Sequence, residues 1–156
     1  MKIPKLRKLV DRIVETTLVT LLILMIINVS YQVFTRYFTD NPSSFTEELS
    51  RYLMVWLGIL GAGYVAGRNE HIAIDFFIRK LSPKIKYIVY QLIRWSIISF
   101  AVFGFIIGGG NLVFITFTLK QYSPSLGIPL GLVYLIIPFS GLLIVYYKLS
   151  TKNSPR

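Results

Sequence analysis

The stretch Trp95–Leu119, WSIISFAVFGFIIGGGNLVFITFTL, runs for 25 residues without an Asp, Glu, Lys or Arg. An α-helix needs about 20 apolar residues to cross the roughly 30 Å hydrocarbon layer of a bilayer, since each residue adds about 1.5 Å. An uninterrupted apolar run of this length is typical of a membrane-spanning helix rather than of a soluble core. The stretch therefore predicts a transmembrane helix.

Three further charge-free stretches have the same character: Thr16–Thr35, Tyr52–Gly67 and Gln121–Tyr147. The second has only 16 residues, and it reaches the required length if Arg51 and Arg68 extend their charged groups to the lipid head groups. The predicted fold class is an all-α integral membrane protein with a single domain, 1–156. Its four transmembrane helices are expected at about 13–35, 45–67, 83–117 and 129–149.

The segment between the second and third helices, about 68–82, has a different pattern. Ile74, Phe77, Ile78 and Leu81 follow helical spacing, whereas Arg79 and Lys80 occupy the other face. This alternation predicts an amphipathic segment that lies along the membrane surface.

The basic residues alternate between the two sides of the predicted bundle. From the N-terminus onward, the terminal segments and connections carry 5, 2, 6, 1 and 3 of the 17 Lys and Arg residues. Basic loops stay in the cytoplasm, so this order predicts cytoplasmic N- and C-termini. The apolar stretch after the basic N-terminus lacks a small-residue cleavage site, which favours a retained first helix over a signal peptide. Topology thus accounts for the net charge of +10 without a nucleic-acid partner.

Residues that carry chemistry are sparse. There is no cysteine, and no Asp or Glu lies near the centre of a predicted span, where charged groups mark transport sites. The single histidine, His71, has scattered carboxylates nearby, which is poor support for a metal site. These features favour a structural or accessory membrane subunit over a membrane enzyme. A self-sufficient small transporter acting as a homodimer remains the alternative.

The start of the second helix and the course of the fourth carry local signals. Ser44 followed by Glu47 fits a capping box, and Glu47 is spaced for an ion pair with Arg51. Pro138 lies inside the fourth helix and is expected to kink it.

The sequence between Phe45 and Asp75 carries a dense motif. It consists of the acidic pair Glu47-Glu48, Leu49, Arg51, Trp56, the Gly61-Ala62 step, Arg68 and the group His71-Ile72-Ala73-Ile74-Asp75. This pattern resembles the signature of the small membrane subunit, DctQ type, of tripartite ATP-independent periplasmic (TRAP) transporters. Arg36-Tyr37 and the pattern Leu126–Pro129, Tyr134, Ile137-Pro138 also resemble the family.

The resemblance implies a three-part uptake system for an acidic solute of the sialic acid or C4-dicarboxylate class, located in the bacterial inner membrane. A periplasmic substrate-binding protein captures the solute, and a separate large membrane subunit holds the solute and sodium sites. The small subunit packs on the large one's scaffold and helps to dock the binding protein. No cofactor is expected in this chain.

The resemblance also implies roles for individual residues. Trp56, Gly58, Gly61 and Ala62 would face the large subunit, and Arg68, His71 and Asp75 would fix the turn after the second helix. Glu47, Glu48 and Arg51 would contact a partner at the outer rim. The alternatives left open are that these three only cap the helix and that Trp56 is a lipid-facing anchor.

Overall fold

The computed structural model describes residues 5–38, 43–67 and 82–150. Helix α1 is Lys5–Phe38 and helix α2 is Ser44–Gly67. Helix α3 begins with Pro83–Phe100, continues as a π-helix over Ala101–Gly108 and ends with Gly109–Thr118. Helix α4 consists of Leu130–Tyr134 and Ile136–Ser150.

All four helices are long and apolar enough to cross a membrane, which confirms the predicted all-α membrane fold with four spans. Helix α1 has 34 residues and begins earlier than the sequence predicted, because the basic segment before the apolar run continues the same helix. Since the chain crosses four times, Lys5, Gly67, Pro83 and Ser150 lie on one side of the bundle, here called the termini side. Phe38, Ser44, Thr118 and Leu130 lie on the other, the loop side.

The helices pack side by side in the order α1, α2, α4, α3. Helix α2 contacts α1 and α4, whereas α3 contacts α4 mainly through its π-helical and final segments. The shared core consists of Val14, Leu60, Ile136, Leu143 and Tyr147, contributed by α1, α2 and α4. The result is a broad layer of helices with α1 and α3 at its edges.

Helices α3 and α4 approach each other closely at glycines. A Cβ atom on Gly141 would lie 2.7 Å from the Phe105 Cβ and 3.1 Å from the Ala101 carbonyl oxygen. On the facing helix, a Cβ on Gly109 would lie 2.5 Å from the Ile137 Cγ2. These separations leave no room for a side chain, so the two glycines allow the helix axes to come together.

The fourth helix, where the sequence predicts a kink, is interrupted at Leu135, less than one turn before Pro138. Proline has no amide hydrogen, and its ring clashes with the carbonyl of the residue four positions earlier. That residue is Tyr134, where the first part of α4 ends. Regular helix resumes at Ile136, and the Phe139 amide donates to the Leu135 carbonyl at 3.2 Å.

The predicted capping box at the start of α2 is wrong by one residue. The helix already includes Ser44, so the preceding Ser43 occupies the N-cap position. The Glu47 amide donates to the Ser43 carbonyl at 3.4 Å, and the Thr46 hydroxyl donates to it at 2.8 Å. The Glu47 carboxylate instead accepts a bond from Arg51, which is the predicted ion pair.

Candidate partner-binding surface

One stripe of α2 points away from the other helices. Its members are exposed and follow helical spacing of three or four residues: Glu47, Arg51, Met54, Gly58, Ala62 and Val65. We call this stripe the outward face of α2. Residues at such spacing share one side of a helix, so a second helix from another chain could lie along it.

The centre of the outward face is formed by small residues with open space above them. A Cβ atom on Gly58 would meet no atom within 4 Å, and Ala62 one turn further is exposed. Gly61 is different, because a Cβ there would lie 3.8 Å from the Leu18 side chain of α1. Gly61 therefore lies at the contact between α1 and α2, whereas Gly58 and Ala62 are available to a partner.

The space beside the α2 glycines nearer the termini side is already occupied by other side chains of this chain. A Cβ on Gly63 would overlap the Ser140 hydroxyl, and one on Gly67 would overlap the Tyr147 ring. The Ser140 hydroxyl in turn donates to the Ile59 carbonyl at 2.9 Å. Close packing thus uses one side of α2 for α4 and leaves the outward face unfilled.

Trp56 serves an internal contact. Its indole N–H donates to the Val133 carbonyl of α4 at 2.9 Å, and its ring packs against the core. This bond fixes the indole within the bundle, close to the break in α4 that follows Tyr134. A contact between Trp56 and a second chain stays a prediction.

Glu48 joins the start of α2 to the turn between α3 and α4. One carboxylate oxygen accepts the Tyr52 hydroxyl at 2.6 Å, and the other accepts the Ser125 amide at 2.8 Å. Within the turn, the buried Ser123 accepts the Leu126 amide at 3.1 Å. The carboxylate therefore holds the loop-side turn against α2.

Glu47 and Arg51 form an ion pair of 2.6 Å at the loop-side end of the outward face. Both side chains are more than half exposed, at 59% and 66% respectively. An exposed pair of this kind contributes only about 0.3–0.5 kcal/mol to helix stability. The pair is therefore accessible to a partner at little cost to the fold.

Polar side chains of α1 bind α2 near the loop side. The Asn28 amide donates to the Thr46 carbonyl and to the Ser50 hydroxyl, both at 2.7 Å. Ser50 donates to Gln32 at a longer 3.4 Å. These bonds are typical of polar residues between membrane helices. Ser30, which lies between Asn28 and Gln32 in the sequence, is exposed instead.

A second polar cluster joins three helices at the termini side. The Tyr147 hydroxyl of α4 donates to Asp11 at 2.7 Å, and the Arg7 guanidinium lies 5.7 Å from the Tyr147 ring centre. The Tyr64 hydroxyl of α2 donates to Glu15. The two carboxylates of α1 thus act as acceptors within the protein.

Three predicted site residues, Arg68, His71 and Asp75, lie outside the described residues, as does nearly all of the predicted amphipathic segment. Met54 and Val65 were not singled out from the sequence, although their spacing from Gly58 and Ala62 places them on the same face. The attachment of Ser125 to Glu48 had no sequence signal, since 77 residues separate them.

Residues 25–151 match the model of the family described as "Tripartite ATP-independent periplasmic transporters, DctQ component". The chain belongs to the DctQ family. DctQ proteins are the small membrane subunits of TRAP transporters, which are transport components rather than enzymes. Membership of this family and the four helices able to span a membrane identify this chain as a multi-pass protein of the bacterial inner membrane.

Similar proteins carry matching names. A Haemophilus influenzae protein named as a TRAP transporter small permease is 29% identical over 135 residues, covering 86% of this chain and 82% of the relative. The sialic acid TRAP small permease SiaQ of Vibrio cholerae is 32% identical over 84 residues, covering 54% and 49%. The C4-dicarboxylate small permease DctQ of Rhodobacter capsulatus is 32% identical over 103 residues, covering 64% and 44%.

Proposed function

We propose that this DctQ chain serves a sodium-driven TRAP transporter for an acidic solute, and that it joins the large membrane subunit through the outward face of α2. The observation that carries the proposal is the open space above Gly58 and Ala62. Membrane helices associate through small residues that allow close approach, because apolar side chains gain little by leaving lipid. A helix of the large subunit would find such a surface here.

The surroundings of Gly58 support this choice of face. Gly63, Gly67 and Gly131 are covered by side chains of this chain, whereas Gly104, Gly108 and Gly110 of α3, like Gly58, are not covered by another helix. The exposed residues of α1 include Val19, Ile23 and Ile27, which suit contact with acyl chains. The outward face instead ends in the Glu47–Arg51 ion pair, which suits a protein partner at the membrane boundary.

The solute and sodium sites are assigned to the large subunit. In the described spans, carboxylates lie only towards the ends, with Asp11 and Glu15 on the termini side and Glu47 and Glu48 on the loop side. A site for a charged cargo at mid-depth would require ionisable or polar groups that converge there. The names of two relatives support sialic acid or a C4-dicarboxylate as the solute class.

The loop side is proposed to contribute to docking of the periplasmic substrate-binding protein. Glu48 holds the turn at Ser125 against α2, and the exposed Glu47–Arg51 pair lies at the same end of the helix. A preorganised surface loses less conformational freedom on binding than a flexible one. We therefore assign the turn and the ion pair to a common docking surface.

Co-purification with the large subunit tests the packing face. Gly58→Leu and Ala62→Leu place bulk on the outward face, and we expect each to reduce recovery of the large subunit at least about fivefold, because overpacking a close contact costs roughly 1–3 kcal/mol. Val19→Leu is the matched control, since Val19 is 56% exposed on α1. If both outward-face variants recover the large subunit as well as the wild type does, the outward face of α2 is not part of the interface.

A further inference from the structure

The first part of α1 extends beyond the charge-free core of its span. That core begins at Thr16, whereas the described helix begins at Lys5 without interruption. Residues 5–15 add about 16 Å at about 1.5 Å each, which exceeds the head-group layer of roughly 5–8 Å on each side of a bilayer. The segment therefore passes through the head-group layer, where its outward side chains can meet lipid.

One side of this segment is fixed to the rest of the protein. Asp11 accepts the Tyr147 hydroxyl at 2.7 Å, Arg7 lies over the Tyr147 ring, and Val14 is only 5% exposed in the core. These contacts set the rotation of the segment about its own axis. The residues on its other sides are consequently directed away from the bundle.

Two adjoining stripes face outward on the segment. Leu6, Leu9 and Ile13 form an apolar stripe with exposures of 60%, 55% and 56%. Lys5, Lys8 and Arg12 form a cationic stripe beside it, and all three are exposed. Among the residues that the structure describes, no carboxylate lies within ion-pair distance of these three cations.

We propose that this part of α1 is a binding site for anionic phospholipid. Lys5, Lys8 and Arg12 contact the head-group phosphate, and the stripe of Leu6, Leu9 and Ile13 lies against the acyl chains. Interfacial amphipathic helices bind lipid through the same two contacts, cations with anionic head groups and apolar side chains with acyl chains. The charge of the stripe selects anionic over zwitterionic lipid, and the site is independent of the proposed packing face.

Native mass spectrometry of the full chain in detergent tests this site with two lipid probes, phosphatidylglycerol and phosphatidylcholine of matched acyl chains. We expect the wild-type chain to retain phosphatidylglycerol more strongly. Each cation near an anionic surface contributes about a fivefold change in binding, so K5Q/K8Q/R12Q, which removes three of them, should reduce phosphatidylglycerol affinity by about a hundredfold. Its phosphatidylcholine affinity should change little.

Arg36→Gln is the matched control, because Arg36 is an exposed cation at the other end of the same helix. The proposal is overturned if Arg36→Gln causes the same loss, if the triple variant causes none, or if wild type binds both lipids equally. Displacement by millimolar inorganic phosphate would identify a soluble-anion site and overturn it as well. If the triple variant does not fold, a salt titration of the wild-type chain tests the proposal instead. The phosphatidylglycerol affinity of the wild-type chain must fall as the salt concentration rises, and an affinity that does not depend on salt overturns the proposal.

Discussion

Single glycines of α2 differ in what surrounds them, and this difference predicts opposite effects of the same substitution. Gly67→Ala places a methyl group into the Tyr147 ring, and we expect a loss of about 1–3 kcal/mol in the free energy of unfolding. Gly58→Ala meets no atom within 4 Å and should be neutral or slightly stabilising, since Ala favours helix more than Gly. Denaturant titration of helical circular dichroism compares the two, and equal effects would contradict the packing described here.

The Glu48 carboxylate holds the loop-side turn between α3 and α4 against α2, so replacing it should loosen the turn. Glu48→Gln leaves one acceptor oxygen for the two donors from Tyr52 and Ser125. Hydrogen bonds to charged groups contribute about 1.5–3 kcal/mol, so amide exchange in peptides covering 121–129 should accelerate by about tenfold or more. The matched variant Glu47→Gln removes a charge one position away.

Deuterium uptake measured by mass spectrometry separates these two variants. Glu47 pairs with Arg51 within α2, so its replacement should leave exchange in the turn unchanged. Acceleration by both variants, or by neither, would mean that Glu48 does not hold the turn.

The positions of the four membrane-spanning helices were largely predictable from the sequence. A membrane span must satisfy its own backbone hydrogen bonds and stay free of charge over about 20 residues, and both demands are visible in the stretch Trp95–Leu119. The π-helix over Ala101–Gly108 was not predicted, and its Ala101, Phe105 and Ile106 contact Gly141 of α4, which is distant in sequence. Local sequence contains no record of such a contact.

The candidate surface was predictable only in part. The motif includes Gly58 and Ala62, which the structure places on an open face, and their contact with the large subunit stays a prediction. It could not separate them from Gly61, which contacts Leu18, or from Trp56, which bonds to Val133. The direction of each side chain depends on where α1 and α4 lie, and that is a property of the assembled layer.

At the level of the whole molecule, the orientation in the membrane is a prediction from the distribution of basic residues. The chain has no cysteine, so single cysteines report topology without background labelling. We expect Gln121→Cys to react with a membrane-impermeant maleimide in intact spheroplasts and Ser82→Cys to react only after lysis, because both positions are exposed but lie on opposite sides. The reverse pattern would invert the topology.

The layer α1–α2–α4–α3 leaves much of each edge helix exposed, which suits a subunit that widens a larger membrane assembly. Its described spans carry no carboxylate at mid-depth, and the proposed function assigns the transport chemistry to a companion chain. The most direct measurement is sodium-gradient uptake of labelled sialic acid and C4-dicarboxylates into proteoliposomes. We predict accumulation of one class when this chain, the large subunit and the binding protein are combined, and none with this chain alone. Accumulation by this chain alone would contradict the account.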